Sequence, residues 1–262
     1  MEKAIPTICG VIGNPIEHSL SPDIHLNFAK QFALELDYQK YRLEKEQLGY
    51  FVKNFFEKGG GGLNVTLPFK QEVIGAVNQL TEASRICQSV NTLSIQENGN
   101  ILGDTTDGEG LILHLNQLNY EFKDKTIMML GAGGASISVI YSLLKNNSKI
   151  ILQNRSSDKI NKIISKFSSI GQINSFKQLG KEIKIDGFIC AVSQFSPTLL
   201  DRIVPSLKAD AFIYDLNYAE RSVETLDYFR QKEFKRLSDG YGMLVAQAAK
   251  SFEIWHGKMP IF

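Results

Sequence analysis

Residues 126–136 constrain this chain more than any other stretch. Thr126-Ile127-Met128-Met129-Leu130 is an apolar run of strand length, and Gly131-Ala132-Gly133-Gly134-Ala135-Ser136 follows it directly. A strand that ends in a glycine turn and opens a helix is the context of a dinucleotide-binding site. The first glycine permits the tight turn, and the second lets a pyrophosphate approach the backbone. Exposed N–H groups and the helix dipole then favour the anion. Position 136 is serine where glycine or alanine is usual. The same glycines also occur in ordinary tight turns.

The segments that follow support the dinucleotide reading. A helix is expected over 135–145 and a strand over Lys149–Gln153. Strands at Gly187–Val192 and Ala211–Leu216 then alternate with helices, the rhythm of a parallel sheet. The end of the second strand selects the cofactor. A site for NAD usually has an acidic residue there, whereas this chain has Asn154-Arg155-Ser156-Ser157, with Lys159 one turn on. An arginine can pair with a 2′-phosphate and stack on adenine, which favours NADP. The plainer reading leaves Arg155 as a solvated residue at a helix start.

The N-terminal part reads as strand Ile8–Ile12, helix 22–36 and strand Tyr38–Leu43. Helix Leu48–Phe56 and strand Leu63–Thr66 come next. Ser21-Pro22 looks like an N-cap followed by proline at the first helical position. Gly59 to Gly62 reads as a loop with high backbone freedom. Asn98-Gly99 signals a hairpin between Val90–Gln96 and Ile101–Asp104. Helices are expected over Phe69–Leu80, Gly108–Leu118 and Gly242–His256. Lys70 would then occupy a first helical turn, where the dipole disfavours a cation, while Asp107 would favour and orient one. Such a pair can relay a hydroxyl proton. From spacing alone, a solvent-exposed Lys70 is the stronger reading. The hydroxyls of Ser19 and Ser21 at a helix start can bind a carboxylate, or Ser21 can simply cap.

Bulk properties exclude several classes. The net charge is +1, from 29 basic and 28 acidic residues, which argues against general binding to nucleic acid or anionic membrane. Three widely spaced cysteines suggest neither a disulfide framework nor zinc, and His18, His25, His114 and His256 form no metal-ligand pattern. No metal is expected. Met1 to Pro6 begins no apolar leader, and no run is long enough for a membrane span. A cytoplasmic protein is the expectation.

Taken in order, these segments resemble shikimate dehydrogenase. The resemblance runs from Gly13-Asn14-Pro15 and His18-Ser19-Leu20-Ser21-Pro22 to Asn64-Val65-Thr66-Leu67-Pro68-Phe69-Lys70. It continues through Val90-Asn91-Thr92-Leu93, Gly103-Asp104-Thr105-Thr106-Asp107-Gly108, the glycine turn and Asn154-Arg155-Ser156. Tyr214-Asp215-Leu216-Asn217-Tyr218 and Gly242-Met243-Leu244-Val245-Ala246-Gln247-Ala248 complete it. It implies an α/β fold of two domains. An α/β substrate-binding catalytic domain would take 1–106 plus 239–262, and a Rossmann-type NADP-binding domain with a parallel sheet would take 107–238. The active site would lie in the cleft.

The implied reaction is the reversible NADPH-dependent reduction of 3-dehydroshikimate to shikimate. By this resemblance Lys70 and Asp107 are catalytic. Ser19, Ser21 and Tyr218 hold the substrate carboxylate, and Thr66, Asn91 and Gln247 its ring hydroxyls, with Asn64 and Thr106 in support. Gly131, Ala132, Gly133, Gly134, Ala135, Asn154, Arg155, Ser156, Lys159, Gly240 and Met243 bind the cofactor. The partners are small molecules, with a monomer or homodimer expected.

The chain departs from the family pattern in places. Gln88-Ser89 stands where Gly-Ala is usual, and Cys190-Ala191-Val192-Ser193 where Asn-Ala-Thr-Ser is. Thr105 precedes Thr106-Asp107 where Asn is expected, and Ala219 replaces a proline. Three rivals stay open: a quinate enzyme using NAD, a non-catalytic module sensing shikimate-like ligands, and a folate-linked Rossmann dehydrogenase.

Overall fold

The computed structural model describes residues 7–178 and 183–262. The leader-free start read at Met1 to Pro6 lies outside them. The chain divides into two compact units, Met1–Gly110 with Val245–Phe262, and Leu111–Leu244.

The first unit contains β1 (Thr7–Gly13), α1 (Ser21–Gln31), β2 (Leu36–Arg42), α2 (Leu48–Glu57) and β3 (Gly62–Val65). It continues with β4 (Gln79–Leu80), α3 (Glu82–Cys87), β5 (Thr92–Ile95), β6 (Ile101–Asp104) and the start of α4 (Asp107–Gln117). Its six-stranded sheet has the order β2-β1-β3-β5-β6-β4. The strands β2, β1 and β3 run parallel, and β5 is antiparallel to both β3 and β6. All four residues of β3 are buried, so this central strand delivers Asn64 into the interior. The apolar stripe of α2 (Leu48, Val52, Phe55, Phe56) packs with Leu63, Val65 and Phe69 as one core.

The hairpin expected at Asn98-Gly99 is present, with Gly99 at φ +80° and Gln96 N–H donating to Asn100 O. Two expectations are corrected. Residues 69–80 are not an α-helix: a turn leads into a 3-10 segment at Glu72–Ala76 and then into β4, which pairs with β6. Asn78 explains the change, because its N–H donates to Ile101 O and its side chain accepts from Ile101 N–H, pulling the segment to the sheet edge. Ser21 is not the cap of α1. Leu20 is, without a side-chain cap, and the helix ends at Gln31, ahead of Ala33 at φ +51°. The backbone freedom expected over Gly59 to Gly62 is used at Gly59, at φ +87°, whereas Gly61 and Gly62 are held by close contacts. Gly61 N–H donates to Ile8 O at 2.7 Å, and Gly62 lies flush on Trp255, where a Cβ would come within 2.3 Å of the indole.

The second unit carries the rest of α4, then β7 (Thr126–Leu130), α5 (Gly134–Lys145), β8 (Lys149–Gln153), α6 (Ser157–Phe167) and β9 (Ile173–Ser175). It goes on through β10 (Ile185–Cys190), α7 (Pro197–Ile203), β11 (Leu207–Asp215), α8 (Glu220–Gln231) and β12 (Leu237–Ser238) to the start of α9 (Tyr241–His256). Every pairing in its sheet is parallel, in the order β12-β11-β10-β7-β8-β9. That is a doubly wound Rossmann order, with the reversal between β7 and β10. Ile127, Met128 and Met129 of β7 and Phe188 and Ile189 of β10 are fully buried, as expected where helices cover both faces.

No helix among the described residues is long and apolar enough to cross a membrane. Among the same residues no cluster of three or more His, Cys, Asp or Glu could hold a metal ion. Cys9, Cys87 and Cys190 are buried, and no disulfide joins them.

Candidate active site

In the first unit, Lys70 and Asp107 meet. Lys70 Nζ donates to Asp107 Oδ2 at 2.6 Å, with the two side chains 16% and 6% exposed. Lys70 belongs to no α-helix, so the dipole effect expected on it does not arise. The lysine sits instead in the turn after β3, anchored by Phe69, which is 2% exposed. Lys70 O accepts from Val90 N–H at 2.8 Å, which places the lysine beside Asn91.

Asn91 organises the polar groups around this pair. Its Nδ2 donates to Asp107 Oδ1 at 2.9 Å and to Gln247 Oε1 at 3.0 Å. Its Oδ1 accepts from Thr106 N–H at 2.8 Å and from Thr92 Oγ1 at 3.0 Å. Thr106 Oγ1 donates to Gln247 O at 3.0 Å. Gln247 comes this close because of Gly110: a Cβ there would stand 2.6 Å from Gln247 N. Buried polar groups need partners, and this network supplies them.

Sequence reasoning missed two members. Ser251 is fully buried, one helical turn beyond Gln247. It shares a 2.7 Å hydrogen bond with Thr92 Oγ1 and accepts from Asn64 Nδ2 at 3.0 Å. Tyr38 donates its hydroxyl to Asn64 Oδ1 at 2.7 Å. The one available signal was the four-residue step from Gln247 to Ser251 on α9.

Ser19 and Ser21 lie together, with Ser19 Oγ accepting from Ser21 N–H at 3.3 Å and donating to Ser21 Oγ at 3.2 Å. Thr66 follows β3, and its methyl faces Gly13, where a Cβ would lie 2.6 Å away. Its N–H donates to Ile12 O.

The second unit contains a cavity of about 680 Å³ at the carboxyl ends of β7, β8 and β10. Gly131, Ala132 and Gly133 line it with Asn154, Arg155 and Lys159. Gly131 has φ +114°, and a Cβ there would stand 3.1 Å from the Ala191 backbone. Glycine therefore meets both a conformational and a steric need. Gly133 caps α5 and opens onto clear space, while Gly134 and Ala135 form the first turn. Ser136 accepts from Gly133 N–H at 3.3 Å, which gives the unusual serine a local partner.

Ser156 caps α6 by accepting from Lys159 N–H at 3.3 Å, and Asn154 Nδ2 reaches Ser156 O at 3.4 Å. No carboxylate among the described residues pairs with Arg155 or Lys159. Two uncommitted cations on the wall, beside a glycine turn at a helix start, fit NADP and its additional phosphate. Gln153, Gln194 and Phe195 also line the cavity and were not foreseen. Burial pushes the Cys190 thiol up to about 12, so this departure adds an inert wall group.

Tyr218, Gly240 and Met243 also belong to this unit. Gly240 N–H donates to Asn217 O at 2.8 Å, and Met243 N–H donates to Tyr214 Oη at 3.2 Å. Ala219 adopts φ +54°, a value closed to the proline expected there.

Comparison with known proteins gives a consistent result. Residues 11–93 match the shikimate dehydrogenase substrate binding domain, 113–225 match shikimate / quinate 5-dehydrogenase, and 240–260 match the shikimate 5'-dehydrogenase C-terminal domain. A shikimate dehydrogenase (NADP(+)) of Buchnera aphidicola subsp. Cinara cedri is 39% identical over 95% of this chain and 90% of its own length. The crystal structure of shikimate dehydrogenase from Aquifex aeolicus is 31% identical, with a TM-score of 0.85 over 100% of this chain and 96% of that one. A shikimate dehydrogenase solved in complex with NADP+ is 28% identical, with a TM-score of 0.84 over 100% and 93%. By its sequence, its two sheets and these relatives, the chain belongs to the shikimate dehydrogenase family.

Proposed function

We propose that Lys70 and Asp107 carry the proton step of the shikimate dehydrogenase reaction in this chain. The enzyme is an NADP-dependent oxidoreductase that acts on a CH–OH group, interconverting 3-dehydroshikimate and shikimate on the route to aromatic amino acids. The observation that carries the proton assignment is the 2.6 Å contact between Lys70 Nζ and Asp107 Oδ2.

Gly131 to Ala135, Asn154, Arg155, Ser156 and Lys159 would hold NADPH, with Gly240 and Met243 completing its site, and the bound cofactor would supply the hydride. Lys70 stabilises the negative charge that grows on the substrate oxygen and donates the proton. Asp107 keeps the ammonium aimed, and Asn91 keeps Asp107 aimed. In the reverse direction Lys70 takes the hydroxyl proton. Thr66, Asn91 and Gln247 hydrogen-bond the ring hydroxyls. A ligand has to replace bonds that these amides now make to one another, and only matching hydroxyls can do so, which makes the site selective. Ser19, Ser21 and Tyr218 hold the carboxylate. The substrate-binding assignment covers 1–106 plus 239–262, and the NADP-binding assignment covers 107–238. The enzyme works in the cytoplasm as a monomer or homodimer, in keeping with three buried cysteines that no disulfide joins.

The test is NADPH oxidation by the purified protein with 3-dehydroshikimate, set against NADH and 3-dehydroquinate. Turnover confined to NADPH with 3-dehydroshikimate supports the reading. No turnover despite tight shikimate binding sinks it in favour of a sensing module.

A further inference from the structure

The segment Asp215-Leu216-Asn217-Tyr218 leaves the carboxyl end of β11 and carries a tyrosine to which the functional reading gives the substrate carboxylate. Its neighbour Asn217 does much more than close a turn. The Asn217 N–H donates to Asp215 Oδ1 at 2.9 Å, and Asn217 Nδ2 donates to the same oxygen at 2.8 Å. The second hydrogen of Nδ2 goes to Val192 O at 2.8 Å. Asn217 O accepts from Gly240 N–H at 2.8 Å. One side chain and its peptide groups therefore join three segments of the second unit.

Each of those segments has a bearing on the ligands. Val192 is part of the cofactor cavity wall, and its methyl would lie 3.2 Å from a Cβ on Gly131. It thus packs on the glycine turn. Gly240 opens the segment that leads to Met243. Asp215 is fully buried, so it anchors Asn217 from inside the sheet. Burial pushes the Asp215 carboxyl up, and the two Asn217 donors act against that rise. The backbone runs directly from Asn217 into Tyr218, and Ala219 at φ +54° fixes the direction in which the chain leaves.

We propose that Asn217 is a positioning residue that couples the cofactor cavity wall at Val192 to the turn that carries Tyr218. A cofactor pressing on the glycine turn bears on Val192. The amide of Asn217 transmits that position to the next residue, so the two ligands sense each other. Coupling between sites needs a physical connection with differential contacts, and this one consists of named hydrogen bonds. The proposal rests on the functional reading, because it takes Tyr218 to be a substrate residue.

The test uses the whole chain and a pair of ligands that cannot react, NADPH and shikimate. NADPH fluorescence gives its Kd with and without saturating shikimate, and the ratio of the two is the coupling. Wild-type protein is expected to show a ratio of about fivefold or more. Asn217→Ala is expected to bring the ratio within about twofold of one while NADPH still binds measurably. Asn217→Ser, whose short side chain cannot reach Val192 O, is the second variant and decides the matter if the alanine protein fails to fold.

A ratio unchanged in the variant overturns the proposal, including the case where only the melting temperature falls. So does a wild-type ratio of one. Wild-type turnover of NADPH with 3-dehydroshikimate is measured first. Its absence overturns the functional reading and this proposal together, whereas turnover with an unchanged ratio overturns this proposal alone.

Discussion

Lys70 Nζ stands 2.6 Å from Asp107 Oδ2, and Asn91 Nδ2 stands 2.9 Å from the other oxygen of that carboxylate. The carboxylate is therefore held from both sides. Asp107→Asn removes the charge that aims the ammonium while keeping the side-chain shape. Initial rates should show kcat down by about 100-fold with the NADPH KM near wild type. A change confined to the cofactor KM would contradict the role given to Asp107.

Arg155 lines the cavity, and no carboxylate among the described residues pairs with it. A charge-assisted bond to the 2′-phosphate should contribute about 1.5–3 kcal/mol. Arg155→Ala should therefore raise the NADPH KM by about tenfold or more, leave the 3-dehydroshikimate KM nearly unchanged, and narrow the preference over NADH. Equal effects on both KM values would make Arg155 a structural residue.

His25 is fully buried, stacked on Tyr38 at 4.6 Å and on Trp255 at 5.1 Å. Burial, with His256 as a lesser cause, pushes the imidazole down to about 3, against a smaller opposing pull from Asn64. The folded state thus keeps His25 neutral where the unfolded chain, near the ordinary value of 6.5, takes up a proton. Stability is whole above about 6.5 and falls as pH drops toward about 3, at up to about 1.4 kcal/mol per unit. His25→Phe should flatten that acid limb in denaturant titrations between pH 4 and 7, taken at roughly one-unit steps. An unaltered slope would show that His25 is not its source.

Gln88 closes α3 at φ +53°, ψ +44°. A side chain in this left-handed region is strained, and glycine is the usual residue there. Gln88→Gly should stabilise the protein by about 0.5–1 kcal/mol, a rise of roughly 2–4 °C in Tm, with turnover unchanged. A fall in Tm would mean that the Gln88 bond to Arg85 O outweighs the strain.

The parts legible in the sequence are those with local causes. Both β7 and β8 match their expected residues because each is an apolar run cut off by a turn. The placement of the glycine turn and Arg155 on one cavity was legible because each closely follows a strand. Residues 69–80 misled because Phe69, Val73 and Val77 imitate helical spacing, whereas Asn78 and β6 decide the outcome from a distance. Ser251 and Tyr38 were invisible for a related reason. Their bonds to Asn64 cross 187 and 26 positions, and no spacing rule reports such partners. Asn217 was visible only as a letter within a motif, because its role depends on Val192.

The most direct test of the account is the turnover of Lys70→Ala with NADPH and 3-dehydroshikimate, measured beside its Kd for shikimate. The account predicts turnover lower by about 100- to 10,000-fold, with shikimate still bound measurably. Turnover close to wild type would contradict it, because the proton would then come from another group.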